Sequence, residues 1–598
     1  MSKINLEITA LRNAYLCGER SVKETILALR EQALAQSEFN AWITVLSEAQ
    51  LCVYIDALDD KNPNDFPLWG IPFAIKDNID LAGVPTTAAC KEYAYVPKEH
   101  ARVVELLIEA GAIPLGKANM DQFATGLVGV RSPYGEGRNV FNPDYISGGS
   151  SAGSAIATAL GQVSFALGTD TAGSGRVPAA LNNLIGHKPS RGLLSTRGVV
   201  PACRTLDCVS ILSLTAADAA CVLDVASEYD SADAYSRKNT FANTQRFYTG
   251  VGNSTFRFGV PQDLDFQGDA ETQAMYQETL KLLTGLGGEA IPLDFSPFID
   301  AAKLLYDGPW VAERWLATQG HDLATMLPVL QNIIGNGNNG RAADVFDAQY
   351  RLKALKVQCD EIIRNLDFVL TPTIPTVYRR DAVAAEPVAL NSILGTYTNF
   401  MNLLDYSATA VPVGRLSCGV SWGVTVFSTA FKDVELLNYS AAIQNALGLT
   451  LGATDFKASE YVSSGLSAPT AALEVAVCGA HLDGQPLNWQ LRERGAVLLK
   501  SCKSAKNYKL FALADGKRPA MIRDEKNGEA IALEVWSMPA ENYGSFVTGI
   551  PAPLGIGKVE LDDNSWVSGF ICDVYGLIDA TDISTYGGWL TWLKQKNA

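Results

Sequence analysis

The sequence predicts an α/β fold, a large mixed β-sheet covered by helices, followed by a smaller C-terminal α+β domain. Three observations carry this expectation. Helical stretches alternate with short apolar strands across residues 255–455, a pattern that builds a helix-covered sheet. A compact helix–strand unit lies between two glycine-rich turns at residues 147–179. Gly, Ser, Ala and Pro then dominate residues 452–470, and a new strand–turn pattern starts beyond them. The expected division is a domain over 1–455 with an N-terminal helical arm over 1–60, a linker over 456–470, and a second domain over 471–598.

Bulk numbers set the class. A chain of 598 residues with 47% hydrophobic and 19% charged residues can bury a sizeable core. Its net charge of −16 argues against an electrostatic grip on nucleic acid or an anionic membrane. No basic-then-apolar leader opens the sequence and no run of 18 apolar residues is present, so a cytoplasmic location is expected. The 11 cysteines form no CxxC pair and no Cys–His cluster with zinc spacing. Free thiols are expected, with no structural metal, no disulfide scaffold and no cofactor.

Taken in order, residues 1–60 have a helical pattern, with Ser21 and Glu24 placed as a capping box ahead of Ile26, Leu27 and Leu29. In Gly70-Ile71-Pro72-Phe73-Ala74-Ile75-Lys76, the alternating Ile71, Phe73 and Ile75 predict a strand with Lys76 at its polar end. A lysine desolvated there loses its proton near neutral pH and can act as a general base. Farther along, Lys117-Ala118-Asn119-Met120-Asp121 offers Asn119 and Asp121 as ties for loops.

The segment from Ser147 to Ala179 is the chemical centre. The turn Ser147-Gly148-Gly149-Ser150-Ser151 leads into a small-residue helix, Ala152 to Leu160. Gly161 ends it, Val163 to Leu167 reads as a buried strand, and Gly168 to Gly175 forms a second turn. About three helical turns advance the chain roughly 15 Å, and the strand returns it by a similar distance. Ser150 and Ser174 therefore fall at one end of the unit, beside glycines that let backbone N–H groups turn inward. Two serines in facing turns suggest acyl transfer, with the amides of Thr171, Ala172, Gly173 and Ser174 as an oxyanion hole. The base is His187, the nearest of four histidines in sequence, or Lys76.

Lys76, GGSSAGSA and GTDTAGSGR together resemble the amidase signature family, whose hydrolases use a Ser–cis-Ser–Lys triad. The resemblance implies Ser174 as nucleophile, Ser150 as the bridging serine in a cis peptide, and Lys76 as base. Arg176, just past the nucleophile, is expected to brace the turn by pairing with Asp170.

Three further stretches resemble the allophanate hydrolases of that family: Leu305 to Arg314, Gly192 to Cys203, and the second domain with Gly479-Ala480-His481-Leu482 and Pro551 to Gly557. This resemblance implies a C-terminal domain like the γ-glutamyl cyclotransferase fold. It also implies allophanate as substrate, held by Arg314 through a bidentate grip on its carboxylate, with Tyr306 lining the same pocket. Ammonia and carbon dioxide are the expected products. His481 is a candidate for product handling in the second domain, ahead of Asn488 and Glu534. The family further implies a homodimer and a functional partnership with a separate biotin-dependent urea carboxylase, since no Met-Lys-Met biotin motif is present here. A general small-amide amidase of the same family is the alternative.

Overall fold

The computed structural model describes residues 4–459 and 472–596 and separates into two compact units. The first takes residues 1–239 and 243–467, the second residues 468–598 with 240–242.

An eleven-stranded sheet forms the first unit. In chain order its strands are β1 (Trp42–Val45), β2 (Pro72–Lys76), β3 (Ile113–Ala118), β4 (Phe165–Asp170), β5 (Ile185–Lys188), β6 (Cys208–Ser213), β7 (Phe256–Pro261), β8 (Gly288–Leu293), β9 (Phe368–Pro372), β10 (Tyr406–Arg415) and β11 (Ser421–Thr429). They lie side by side as β1-β3-β2-β4-β6-β5-β10-β11-β9-β7-β8. β2 runs parallel to both β3 and β4, whereas β4 and β6 are antiparallel, so the sheet is mixed. Every residue of β2, β3, β4, β5, β6 and β9 is buried. Strands covered on both faces need no polar alternation, which is why Lys76 ends a strand that is interior throughout.

Local chemistry explains the elements near the site. Ser21 caps the helix Val22–Ala35 by accepting from the Glu24 amide at 3.1 Å. The helix Ala152–Ala159 is wholly buried. Its small side chains admit the loop beside it closely: a Cβ on Gly153 would meet Ala41 O at 2.1 Å and Asn119 N at 2.4 Å.

Three expectations need adjusting. Residues 1–60 are not helical throughout, because Trp42–Val45 pairs antiparallel with β3 at the sheet edge. The strand placed at 163–167 runs over Phe165–Asp170, since Gly168, Thr169 and Asp170 pair with Ser210, Val209 and Cys208 of β6. Partner strands override the glycine signal there. The expected linker start at 456 is still tied to the first unit, with Phe456 O accepting from Leu451 N and Ser459 bonding Glu7 Oε2. The rest of the expected linker, from 460 on, lies outside the described residues.

The second unit has a five-stranded sheet in the order Val497–Lys503, Ala532–Pro539, Ala472–Val477, Trp566–Cys572 and Leu554–Glu560. A three-stranded sheet of Pro519–Arg523, Tyr508–Ala512 and Thr581–Asp582 accompanies it. Among the described residues, no helix is long and apolar enough to cross a membrane. No group of three or more metal-ligating side chains gathers among them, and the 11 cysteines are free.

Candidate active site

β2, β4 and the turn before the Ala152–Ala159 helix deliver Lys76, Thr169 and Ser150 to one point. The Gly149–Ser150 peptide is cis. A side chain on Gly149 would collide with Asp121 Oδ2 at 2.2 Å and Gly129 N at 2.6 Å, so only glycine fits. Asp121 N donates to Ser150 O at 3.0 Å and fixes the same turn from the other side.

Lys76 has no solvent exposure. Its Nζ donates to Ser150 Oγ and to Thr169 Oγ1, each at 2.7 Å. Burial pushes its pKa down to about 7 against the pull of Asp121, Asp170 and Asp207. A lysine in this state is split between charged and neutral forms at neutral pH.

Ser174 stands in the turn between β4 and the helix Arg176–Leu181, 4% exposed, with Oγ donating to Gly126 O at 3.4 Å. The two serine segments are stitched together: Ser151 N donates to Ser174 O at 3.1 Å, and Thr169 N to Ser151 Oγ at 3.2 Å. Asp170 and Arg176 form a buried fork, Nε to Oδ2 and Nη2 to Oδ1, both at 2.9 Å. Burial alone would raise the Asp170 pKa, but the Arg176 cation brings it below the usual carboxylate range.

The expected four-amide oxyanion hole is corrected at Gly173. Its N–H donates to Asp170 Oδ1 at 2.8 Å, so the carboxylate that braces the turn occupies that donor. Among the described residues, the amides of Thr171, Ala172 and Ser174 carry no protein acceptor. Thr171 Oγ1 is held by Asp207 Oδ1 at 2.5 Å, and Ala172 O accepts from Thr398 Oγ1 at 2.7 Å, which fixes the direction of these amides.

Arg314 and Tyr306 sit on separate helices, Val311–Ala317 and Ser296–Asp307, with Gly308 ending the second. Tyr306 packs in the apolar cluster that contains Ala172, Cys203 and Trp310. Arg314 is 3% exposed and donates from Nη1 to Thr125 Oγ1 at 2.9 Å and to Ala124 O at 3.3 Å. Burial opposes its charge, yet nearby Cys203, Tyr306 and Asp207 hold its pKa above the ordinary value. Among the described residues it has no carboxylate within 4.0 Å. Its charge is held from a greater distance by Asp207 and Glu313 rather than by a contacting acid.

His187 is not part of this constellation. Its Nδ1 meets Thr409 Oγ1 at 2.9 Å and its Nε2 lies 3.4 Å from Asp433, a packing role on β5. His481 belongs to the second unit, where it lines a cavity of about 240 Å³ with Gly479, Ala480, Gln490, Arg518 and Phe570. Its ring stacks on Phe570 at 5.0 Å, Nε2 meets Gln490 Oε1 at 3.0 Å, and burial lowers its pKa. Asn488 donates to His481 O, while Glu534 accepts from Asp483 N and Trp536 Nε1. Sequence reasoning missed Thr169, Asp207 and Thr398. Thr169 was legible in principle, as the hydroxyl three positions before Ala172 on a strand parallel to β2.

Comparison with known proteins accords with this geometry. The Amidase family profile matches residues 24–437, and the allophanate hydrolase C-terminal domain profile matches residues 473–594. Allophanate hydrolase from Kluyveromyces lactis superposes over 100% of both chains with a TM-score of 0.80 at 38% identity. Urea amidolyase of Lachancea kluyveri is 41% identical over 96% of this chain. The chain spans only 32% of that relative's length. A glutamyl-tRNA(Gln) amidotransferase chain from Thermoanaerobacter pseudethanolicus is 30% identical over 75% of this chain and 97% of its own. With a buried Lys76–Ser150 pair beside Ser174 and the family profile covering most of its length, the chain belongs to the amidase family.

Proposed function

We propose that this enzyme hydrolyses allophanate through an acyl-enzyme on Ser174. The observation that carries the substrate assignment is Arg314, 3% exposed and free of any carboxylate within 4.0 Å among the described residues. The neutral form of Lys76 accepts a proton from Ser150 as Ser150 takes the proton of Ser174. Ser174 Oγ then attacks the terminal amide carbonyl, and the amides of Thr171, Ala172 and Ser174 receive the oxyanion. The proton returns through Ser150 to the leaving nitrogen, ammonia departs, and water cleaves the ester to give N-carboxycarbamate. Arg314 grips the substrate's carboxylate throughout, with Tyr306 beside it.

The second unit is assigned to decarboxylation of N-carboxycarbamate, with His481 at its cavity. Similarity to an allophanate hydrolase over the full chain supports this two-part reading. A urea carboxylase supplies the substrate, and the enzyme works as a homodimer in the cytoplasm. The experiment is ammonia release from allophanate beside malonamide, glutamine and acetamide. Strong preference for allophanate, lost in Arg314→Ala and abolished in Ser174→Ala, is the expected result. Comparable turnover of the neutral amides would instead make this a general small-amide amidase.

A further inference from the structure

We propose that Arg131 is a positioning residue that sets the site's preference for an anionic amide, acting through the Thr125–Gly126 peptide. This rests on reading the cleft as a site for an amide that bears a carboxylate.

Arg131 is 4% exposed, as deeply placed as Arg314. Its Nη1 donates to Thr125 O at 2.9 Å, and its Nη2 donates to Pro387 O. Nε is buried without a hydrogen-bond partner. Among the described residues no carboxylate stands within 4.0 Å of its guanidinium. Asp121 accepts the Arg131 backbone amide at 2.9 Å, and its carboxylate also acts on the guanidinium through space without closing to an ion pair. The Asp121 carboxylate also serves the Val128 and Gly129 amides, and burial pushes its pKa up.

Two buried cations thus close on Ala124 and Thr125. Arg314 holds Ala124 O and Thr125 Oγ1, while Arg131 holds Thr125 O. Phe123 and Ala124 have φ of 50° and 51°, a left-handed path that needs outside restraint. The next residue, Gly126, lends its carbonyl to the Ser174 hydroxyl. A Cβ on Gly126 would lie 2.8 Å from Asp121 Oδ2 and 3.1 Å from both Cδ and Nη1 of Arg131, so the carboxylate and the arginine together form the surface on which this peptide rests. Burial pushes the Arg131 pKa down against the pull of Asp121 and, more weakly, Tyr306, while Arg314 lowers it further, which places these groups within one electrostatic neighbourhood.

The chemistry follows. Burying a guanidinium without a contacting acid is unfavourable; Asp121 supports Arg131 and Asp207 supports Arg314 only from beyond ion-pair distance, which leaves the fork of Arg314 open to a ligand. A carboxylate on Arg314 also gains from the Arg131 charge behind the same loop, whereas a neutral amide gains from neither. Arg131 therefore contributes to recognition twice, through its charge and by holding the Thr125 carbonyl, and with it the residue whose hydroxyl accepts from Arg314.

The test uses the full chain and two isosteres that differ in charge. Malonamate is allophanate with CH₂ in place of NH, and malonamide is its neutral counterpart. Malonamate binding is measured by calorimetry in the Ser174→Ala background, with and without Arg131→Gln. Turnover of allophanate and malonamide is measured in Arg131→Gln and Arg131→Lys. In Arg131→Gln, malonamate affinity should fall and allophanate KM should rise by about tenfold or more, a larger loss than that in malonamide kcat/KM, which falls only as far as the Gly126 peptide loses support. Arg131→Lys, which keeps the charge but loses the fork, should recover part of the allophanate KM. Equal losses on charged and neutral substrates in both variants would make Arg131 a scaffold residue and overturn the proposal. So would unchanged malonamate affinity. If the unsubstituted enzyme fails to turn over allophanate, yet malonamate binding still depends on Arg131, the anion preference stands and only the substrate assignment falls.

Discussion

Lys76 Nζ stands 2.7 Å from Ser150 Oγ, and neither side chain has any exposure to solvent. Removal from water brings this lysine's pKa down to about 7, as the proposed base requires, because desolvation penalises its charged form more than three surrounding aspartates restore it. Catalysis and stability must then share one titration. kcat/KM should rise through a pH of about 7 as the neutral form fills. The unfolded lysine titrates near 10.5, so between about 7 and 10.5 the folded chain binds fewer protons than the unfolded one. Stability therefore increases with pH across that window. A Lys76→Met variant should lose turnover and flatten this rise, read by chemical denaturation at pH 7 and 9.

Thr169 is the second acceptor on the same nitrogen, also at 2.7 Å. Thr169→Val removes a hydroxyl from a buried strand while keeping its shape. The lost hydrogen bond disfavours the charged lysine and frees the amine to rotate away from Ser150. kcat should fall by about 10- to 100-fold, and the acid limb should shift below its position in the unsubstituted enzyme. A pH profile that stays in place would show Thr169 to be packing alone.

The Asp170–Arg176 fork is buried on both sides. Removing one partner strands the other charge, so Asp170→Asn should cost about 3–5 kcal/mol of stability. It should also release the Gly173 amide and slow acylation, since the turn that carries Ser174 loses its brace. Thermal unfolding and burst kinetics separate the two effects. A variant as stable as the parent would remove the fork from the account of this turn.

The parts of the site legible in the sequence were those written in contiguous residues. Ser150 and Ser174 announced themselves through glycines, and Lys76 through its place at the end of an apolar strand. Arg176 was readable because its partner lies only six positions away. Asp207 and Thr398 were not, because each reaches the Thr171–Ala172 turn from a distant segment and only the folded sheet brings them there. The Gly173 amide failed for a related reason: glycine signalled an open donor, whereas the Asp170 side chain had already turned back to take it. Trp42–Val45 went unnoticed because four residues at a sheet edge carry too little pattern, and β3 rather than local propensity holds them. In the second unit, Leu554–Glu560 has alternating glycines in place of β-formers, and its register with Trp566–Cys572 decides the strand.

His481 provides the last test, since its surroundings bear on the second half of the reaction. The ring is lodged against Phe570 and Phe546, and its lowered pKa favours the neutral imidazole at pH 7. Nε2 meets Gln490 Oε1 at 3.0 Å, a contact that favours the proton on Nε2 and Nδ1 as the basic nitrogen. Loss of carbon dioxide from N-carboxycarbamate leaves a nitrogen that must gain a proton, which such a ring can relay. In His481→Ala the amidase triad is untouched, so the first ammonia should leave allophanate at the parent rate. Carbon dioxide should then lag behind it, and N-carboxycarbamate should accumulate transiently by ¹³C NMR. Carbon dioxide released in step with the first ammonia would strip this cavity of any part in the chemistry.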